Sequence, residues 1–562
     1  MDHQPFRPPW LTRRGFLGAT AGAAAGAYGL ALGLSEAAIP NEYDGSKFKL
    51  KAPEPNAKSG GLLKYGVLSA PAHFDVHQSG TCSNMCTQGA MYDNLVRRNP
   101  LDSGKTIIPD LAHSWEIAKD GKTYTFFLRK GVKFHDGAEL TSADVKATFD
   151  RIVSPPKGIS IPRTPLFATV SEINTRDKYT IEFKLSEPRP VNFIMGAFAS
   201  GWNIIVRKRT LEDTNYNLRD VNNYPGTGPW RHVKRVDKEV WVMEKNPDYW
   251  NEGLPYLDQL EVYHLPPFTP QLGSALLSGR VDYGRALDPV TAKTVQKTEG
   301  MTSTAFYQSV IQAVWVNNQK RPFDDPRVRR AMHLVLDKPV LVDVVRDVAP
   351  MLVGGFIYPF SEFATPSDEL SKRPGYQTDP MAAIKEARQL MAAAGYPDGL
   401  KDVDFVIRDA ASFKLWSVAI QAMLKETLKI ESNLRMVQVS VWFDEAQAGN
   451  YDLTLSAIVS TLMDPSDYFN AWYTKDGPQN YSRWNNPAFD GLVQQIDREL
   501  DDTKRKALIR KAEAIMEQDP PLLPVSWERL YDGWFDYVKG HNPHEYFGVY
   551  DVNRFDTMWL DK

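Results

Sequence analysis

Cysteine is scarce: the 562 residues contain two, Cys82 and Cys86. That is too few for a disulfide framework to hold the fold together. On one regular helix the pair would also be a poor match to disulfide geometry. Charge of one sign is lacking as well, with 66 Lys and Arg against 69 Asp and Glu. No electrostatic footprint for nucleic acid is visible in that balance. Beyond the N-terminal leader, no stretch is long and apolar enough to span a bilayer, and no repeat of solenoid period is present. Nucleotide-site motifs are missing too. "GTGPW" at Gly226–Trp230 has neither the Gly-Lys-Ser/Thr of a phosphate loop nor the glycine spacing of a dinucleotide site. No Gly-x-Ser-x-Gly elbow occurs.

Aromatic residues are plentiful: 14 Trp, 24 Tyr and 26 Phe. Such side chains fill cores, and they also line ligand pockets. The length predicts more than one packed unit, because single cores stop growing near about 250–300 residues.

Residues 1–37 read as a leader. Arg13 and Arg14 precede Phe16, Leu17 and a run of small apolar residues, the pattern of a twin-arginine export signal. Ser35-Glu36-Ala37 predicts cleavage after Ala37, with an uncleaved anchor as the alternative. No cysteine stands there to carry a lipid. Residues 38–59 are polar and broken by proline, and they predict a flexible tether.

Ordered structure is expected from Gly60. Leu63, Tyr65 and Val67 alternate like a strand. In "GKTYTFFLRKGVKFHDGAELTSADVKATFDR", from Gly121 to Arg151, Tyr124, Phe126 and Leu128 share one strand face. Thr141 and Asp144 have the spacing of a capping box. Val145, Phe149 and Ile152 then share one helix face. His135-Asp136 could serve as an acid–base pair, but an Asp-Gly turn accounts for it better. Later segments alternate helices with short strands, which predicts mixed α/β layers.

"PDLAHSWEIAKDGKTYTFFLRKGVKFHDGAELTSADVKATFDRI" resembles the signature of the family 5 extracellular solute-binding proteins. "GTGPW", "MEKNPDYW", "LLSGRVDYG", "RPFDDPRVRRAMHLVLDKPVLV", "LMAAAGYPDG" and "NNPAFDGLV" follow in family order. The resemblance covers nearly all of residues 60–540. It implies an α/β fold of the two-lobed periplasmic-binding-protein type, class II, with an extra subdomain inserted in lobe I. Lobe I would comprise residues 60–312, the inserted subdomain about 95–225, lobe II 313–524, and the return to lobe I 525–562. The crossings between lobes are expected near Ala313–Gln319 and Pro521–Trp527.

The same resemblance implies an exported receptor without catalytic activity or cofactor. It would be a monomer that captures a peptide-like solute by lobe closure and hands it to the membrane permease subunits of an ABC importer. Relatives that bind oligosaccharides or metal complexes keep those solutes open as alternatives. In peptide-binding relatives an acid in the segment resembling "DPSDYF" pairs with the ligand amine. The matching position is Asp464, with Asp467 the alternative. A cation sealed from water needs such a counter-charge, although Asp464 could simply open a turn before Pro465. Trp202, Trp315, Trp442 and Trp472 are candidate walls for ligand side chains, or core residues. Arg207 and Arg408 are candidate carboxylate partners, and His77 is carried as a further ligand contact. A rival from another class is a secreted metalloenzyme. His73, His77, Cys82 and Cys86 include zinc-type ligands, though not at a standard spacing.

Overall fold

Two long strands organise the molecule. In the computed structural model, Met301–Val316 and Leu522–Phe535 run antiparallel, side by side, for 16 and 14 residues. Strands in globular proteins usually stop near five or six residues; these serve two sheet halves in turn. The structure describes residues 39–562 except 68–69, 80–81, 103, 222, 266–268, 377–379, 461, 463 and 542–553. The leader and its cleavage point lie outside the described residues.

At one end the pair belongs to lobe I. Tyr283–Gly284 joins Leu522–Phe535 there, followed in order by Leu62–Val67, Gln259–His264, Val240–Lys245 and Trp230–Val236. At the other end it belongs to lobe II. Leu453–Val459 pairs with Met301–Val316, and beyond it lie Leu400–Arg408 and then Ile430–Val437. These last three strands run parallel to one another. Helices cover both faces, with one core packed around Val314, Phe405 and Trp416 and another around Trp315, Trp442 and Phe489.

The crossing strands break register in the middle. Tyr307 pairs with Arg529 and Ile311 with Trp527, so Gln308, Ser309 and Val310 stand against Glu528 alone. Extra residues on one strand disrupt the ladder and bend it. The break thus falls at 308–310 and 528, between the two halves of the strand pair. The apolar runs that mark the crossings in sequence are their lobe II halves, buried on both faces. The polar hinge residues Gln308 and Ser309 do not read as strand.

The inserted subdomain is a five-stranded sheet in the order Glu42–Asp44, Ala112–Ile117, Thr123–Leu128, Thr180–Leu185, Val170–Asp177. Its core runs in sequence from Leu95 to Ile205. Tyr124, Phe126 and Leu128 are all buried there, and Phe149 packs edge-on against Phe183 and Phe198. The Asp144 carboxylate accepts the Thr141 N–H at 2.9 Å, closing the capping box.

The tether expectation is corrected from Ile39 onward. Glu42–Asp44 forms the edge strand of this sheet, Tyr43 stacks on Trp115 at 4.4 Å, and the Trp115 indole donates to the Pro40 carbonyl. Leu50 and Ala52 are buried. A few apolar anchors outweigh a polar, proline-broken composition.

His135 is structural. Its Nε2 donates to the Gly228 carbonyl at 3.0 Å and its Nδ1 accepts the Gly226 N–H at 3.3 Å. Burial pushes its pKa down to about 4. The loop it holds crosses the Met91 backbone so closely that a Cβ on Gly226 would sit 2.0 Å from the Met91 carbonyl oxygen.

Candidate functional site

The parallel strands of lobe II end toward lobe I. Val459 pairs with Val310 at the hinge, and the chain just beyond it reaches across: the Ser460 N–H donates to the Ser309 carbonyl, and Leu462 is buried in the core of the inserted subdomain. Ligands of open α/β sheets bind beyond such carboxyl ends. Two ion pairs also join the lobes, Arg189 to Asp497 at 3.0 Å and Arg498 to Glu187 at 2.6 Å. Between the inserted subdomain and lobe II lies a cavity of about 520 Å³ bordered by Arg98, Arg189, Phe193, Phe363, Asp464 and Arg505.

Most of the buried charge on the lobe I wall is matched within lobe I. Asp75 and Arg151 form a buried ion pair at 2.5 Å. His77 accepts from Arg151 at Nδ1, 2.7 Å away, and donates from Nε2 to the Ile204 carbonyl at 2.9 Å. Burial and the adjacent guanidinium push its pKa down to about 3, so it stays neutral. Both ring nitrogens are engaged, which leaves His77 no lone pair for a metal or a solute. Arg163 donates to the carbonyls of Ser79 and Val76, and its guanidinium lies 4.8 Å from the centre of the Trp202 ring. Trp202 is only 2% exposed, so it backs this wall.

Across from it stands Asp467. Its carboxylate accepts the Ser460 hydroxyl at 2.9 Å and the Leu462 N–H at 3.0 Å. It is also the foremost carboxylate acting on Arg163, whose pKa burial lowers to about 9 and whose charge Asp467 supports from the opposite lobe.

Asp464 is occupied differently. Both of its oxygens accept from Arg505, at 2.8 and 2.6 Å, and Oδ1 also caps the following turn through the Ser466 N–H. Its charge is already matched within lobe II. Trp315 sits between Trp442 and Trp472, each ring 5.4 Å away, and Trp315 and Trp442 are 2% and 1% exposed. The Trp442 indole donates to the Thr454 hydroxyl. The structure thus places Trp315 and Trp442 in the lobe II core, with Trp472 half-buried beside them. Of the sequence candidates, it brings Trp202 and Asp467 together through Arg163, a residue that no sequence motif marks.

Among the described residues, no group of His, Cys, Asp and Glu side chains is arranged to hold a metal ion. Cys86 is a free thiol buried in the lobe I core. The Cys82 side chain lies outside the described residues. Arg207 pairs with Asp136 on lobe I.

A family model described as bacterial extracellular solute-binding proteins, family 5 Middle, matches residues 106–480. The periplasmic oligopeptide-binding protein OppA of Salmonella typhimurium is 24% identical over 462 residues, spanning 77% of this chain and 82% of its own length. The periplasmic binding protein DppA of Helicobacter pylori, solved with the peptide STSA, superposes with a TM-score of 0.76 at 24% identity, covering 90% of this chain and 99% of that one. The binding protein AgaA of A. tumefaciens, solved with agropinic acid, gives a TM-score of 0.77 at 24% identity, over 89% and 99% of the two chains.

Proposed function

Because the chain belongs to the bacterial extracellular solute-binding proteins of family 5, we propose that it is the exported receptor of an ABC importer for a peptide-like solute. Relatives named for oligopeptides support the peptide class. The observation that carries the mechanism is the pair of strands shared by both lobes, with its register break at Gln308–Val310. A bend at that point changes the angle between two otherwise rigid halves. Solute that touches both lobes stabilises the closed form, and it shifts the equilibrium only by its preference for that form. The closed surface then meets the permease, where other subunits supply the energy. Arg13 and Arg14 support export by the twin-arginine machinery, ahead of action as a periplasmic monomer.

Within this reading Asp467, rather than Asp464, faces the solute's amine. Asp464 has Arg505 on both oxygens, whereas Asp467 meets its cationic neighbour across the cleft. Calorimetry with di-, tri- and longer peptides, paired with small-angle scattering, tests the reading. Binding accompanied by a smaller radius is expected. Heat and scattering both unchanged across every peptide length would reject it.

A further inference from the structure

The inserted subdomain meets lobe II through charges that alternate on both sides. Glu187 and Arg189 stand two positions apart, in the turn that leads from Thr180–Leu185 into the helix Val191–Ala199. Asp497 and Arg498 are the last two residues of the helix Pro487–Arg498 on lobe II. Acid meets base in both directions: Arg189 lies 3.0 Å from Asp497, and Arg498 lies 2.6 Å from Glu187. The first pair is nearly buried, its side chains 8% and 11% exposed, whereas the second is open to solvent, at 59% and 32%. The Arg189 guanidinium also lies 4.5 Å from the centre of the Phe193 ring, and the Asp497 carboxylate accepts the Asn470 amide at 3.0 Å. An apolar peg completes the seam. Leu462 of lobe II is buried in the core of the inserted subdomain, its Cδ2 3.7 Å from where a Cβ on Gly196 would stand.

We propose that this seam is a latch: the inserted subdomain holds lobe II shut by its own contacts, and it thereby scales the affinity for every solute alike. The inference rests on the solute-binding reading above and goes beyond it. Three features support it. Each side bears one acid and one base, so their fields cancel at a distance and the pairs gain energy only at contact. A slip that exchanges the partners sets Glu187 against Asp497 and Arg189 against Arg498, so the pattern selects one closed arrangement. The charges are also held in place, one couple at the end of a helix and the other just before a helix. That lowers the side-chain entropy an ion pair on loose chain would lose.

The four charges and Leu462 join halves that turn about the bend at Gln308–Val310, so opening the cleft parts them. Of the four, only Arg189 borders the cavity of about 520 Å³. The latch therefore raises the closed fraction before any solute arrives. A solute that needs the closed form then binds more tightly by one ratio, whatever its chemistry. The exposed Arg498–Glu187 pair makes the latch adjustable, because salt screens it far more than it screens the buried pair.

The experiment starts without solute. Small-angle scattering gives the radius of gyration of the wild type, Glu187→Arg, Arg498→Glu, Asp497→Asn and the exchanged double variant Glu187→Arg/Arg498→Glu, each at about 0.01 M and about 1 M salt. The wild type should be compact at low salt and expand at high salt. Each single variant should be expanded at both, and the double variant should return to the compact radius. One radius for all five proteins, or a double variant as open as the singles, overturns the latch. Thermal unfolding separates the latch from a role in holding the fold. The pairs are parted in the open form, so the single variants should melt close to the wild-type temperature; a marked drop shared by them overturns the proposal. Calorimetry with the peptides Leu-Phe and Ala-Ala-Ala reads the second consequence. Each single variant should bind both peptides about threefold to tenfold more weakly, by one common factor. Factors that differ between the two peptides would set these residues against the solute and overturn the latch. The failure of the broader reading looks different: no binding of either peptide removes the peptide class, and the solute-free radii still decide the latch.

Discussion

The two walls of the cleft hold their buried charge differently. On lobe I, Asp75, Arg151 and His77 satisfy one another, Arg163 holds the carbonyls of Ser79 and Val76, and Arg554 bridges Asp93 and Asp110 at 2.9 and 2.7 Å. On the lobe II side the Arg408 Nε is buried without an acceptor and burial lowers the side chain's pKa to about 10, and at the hinge burial pushes the pKa of Glu528 up to about 7 against the opposing pull of Arg285. A network that is complete rigidifies and specifies a structure. Groups left unanswered cost stability, and they persist where function uses them. Lobe I is thus a rigid wall, and lobe II with the hinge supplies the electrostatics that a solute completes.

The hardest way to break that contrast is to open the lobe I network. Asp75→Ala leaves Arg151 buried beside a neutral His77. Breaking a buried pair on one side costs about 3–5 kcal/mol, so the variant should unfold at a clearly lower urea concentration. Solute affinity measured below that transition should be nearly unchanged. A loss of affinity without loss of stability would mean that the wall touches solute.

The two acids of the "DPSDYF" segment sharpen the contrast within lobe II. Asp467→Asn should weaken binding of an amine-bearing peptide by about 2–3 kcal/mol, the worth of a charged hydrogen bond in a sealed site, while stability changes little. Asp464→Asn should do the reverse, because Arg505 loses its counter-charge inside lobe II. Titration calorimetry and urea unfolding on both variants decide it, and equal effects on binding would show that the two acids share one role.

Local structure was legible in the sequence where neighbours along the chain decide it. The alternation of Tyr124, Phe126 and Leu128 and the Thr141–Asp144 box depend on residues a few positions apart. The family blocks carried the two-lobed plan. The site was legible only in part. Asp464 and Arg505 stand 41 positions apart, and no local pattern reveals that one neutralises the other. Arg163 meets Asp467 only because two lobes close on each other. The tryptophans read alike in sequence, and burial alone separates the Trp315–Trp442 core from the half-buried Trp472.

The pH dependence of stability tests the lobe I side more gently. His77 has a folded pKa of about 3, against about 6.5 in an unfolded chain. Below 6.5 the unfolded state binds a proton that the folded state refuses, so stability is full above that value and falls as the solution is acidified. At pH 5 the loss from this one group is about 2 kcal/mol. His77→Asn retains an acceptor facing Arg151 without the titration. The difference in unfolding free energy between pH 7 and pH 5 should shrink by about that amount. An unchanged difference would mean that His77 is not held neutral.

The smallest effect is expected at the edge of the inserted subdomain. Tyr43 stacks on Trp115 with planes 9° apart, and the neighbouring Ile39 and Asn41 border the cavity that Asp464 also lines. A stacked aromatic pair is worth about 0.5–1.5 kcal/mol beyond its buried area, and an edge strand of three residues has little else to hold it. Tyr43→Ala should therefore cost about 1 kcal/mol of stability and raise hydrogen exchange at Trp115 and Ile117. Solute affinity should not move, because the strand stiffens the static wall and adds no charge to the cleft. If affinity fell with it, the N-terminal strand would count as part of the closing surface, and the division between a static lobe I and a responsive lobe II would have to be drawn inside the inserted subdomain.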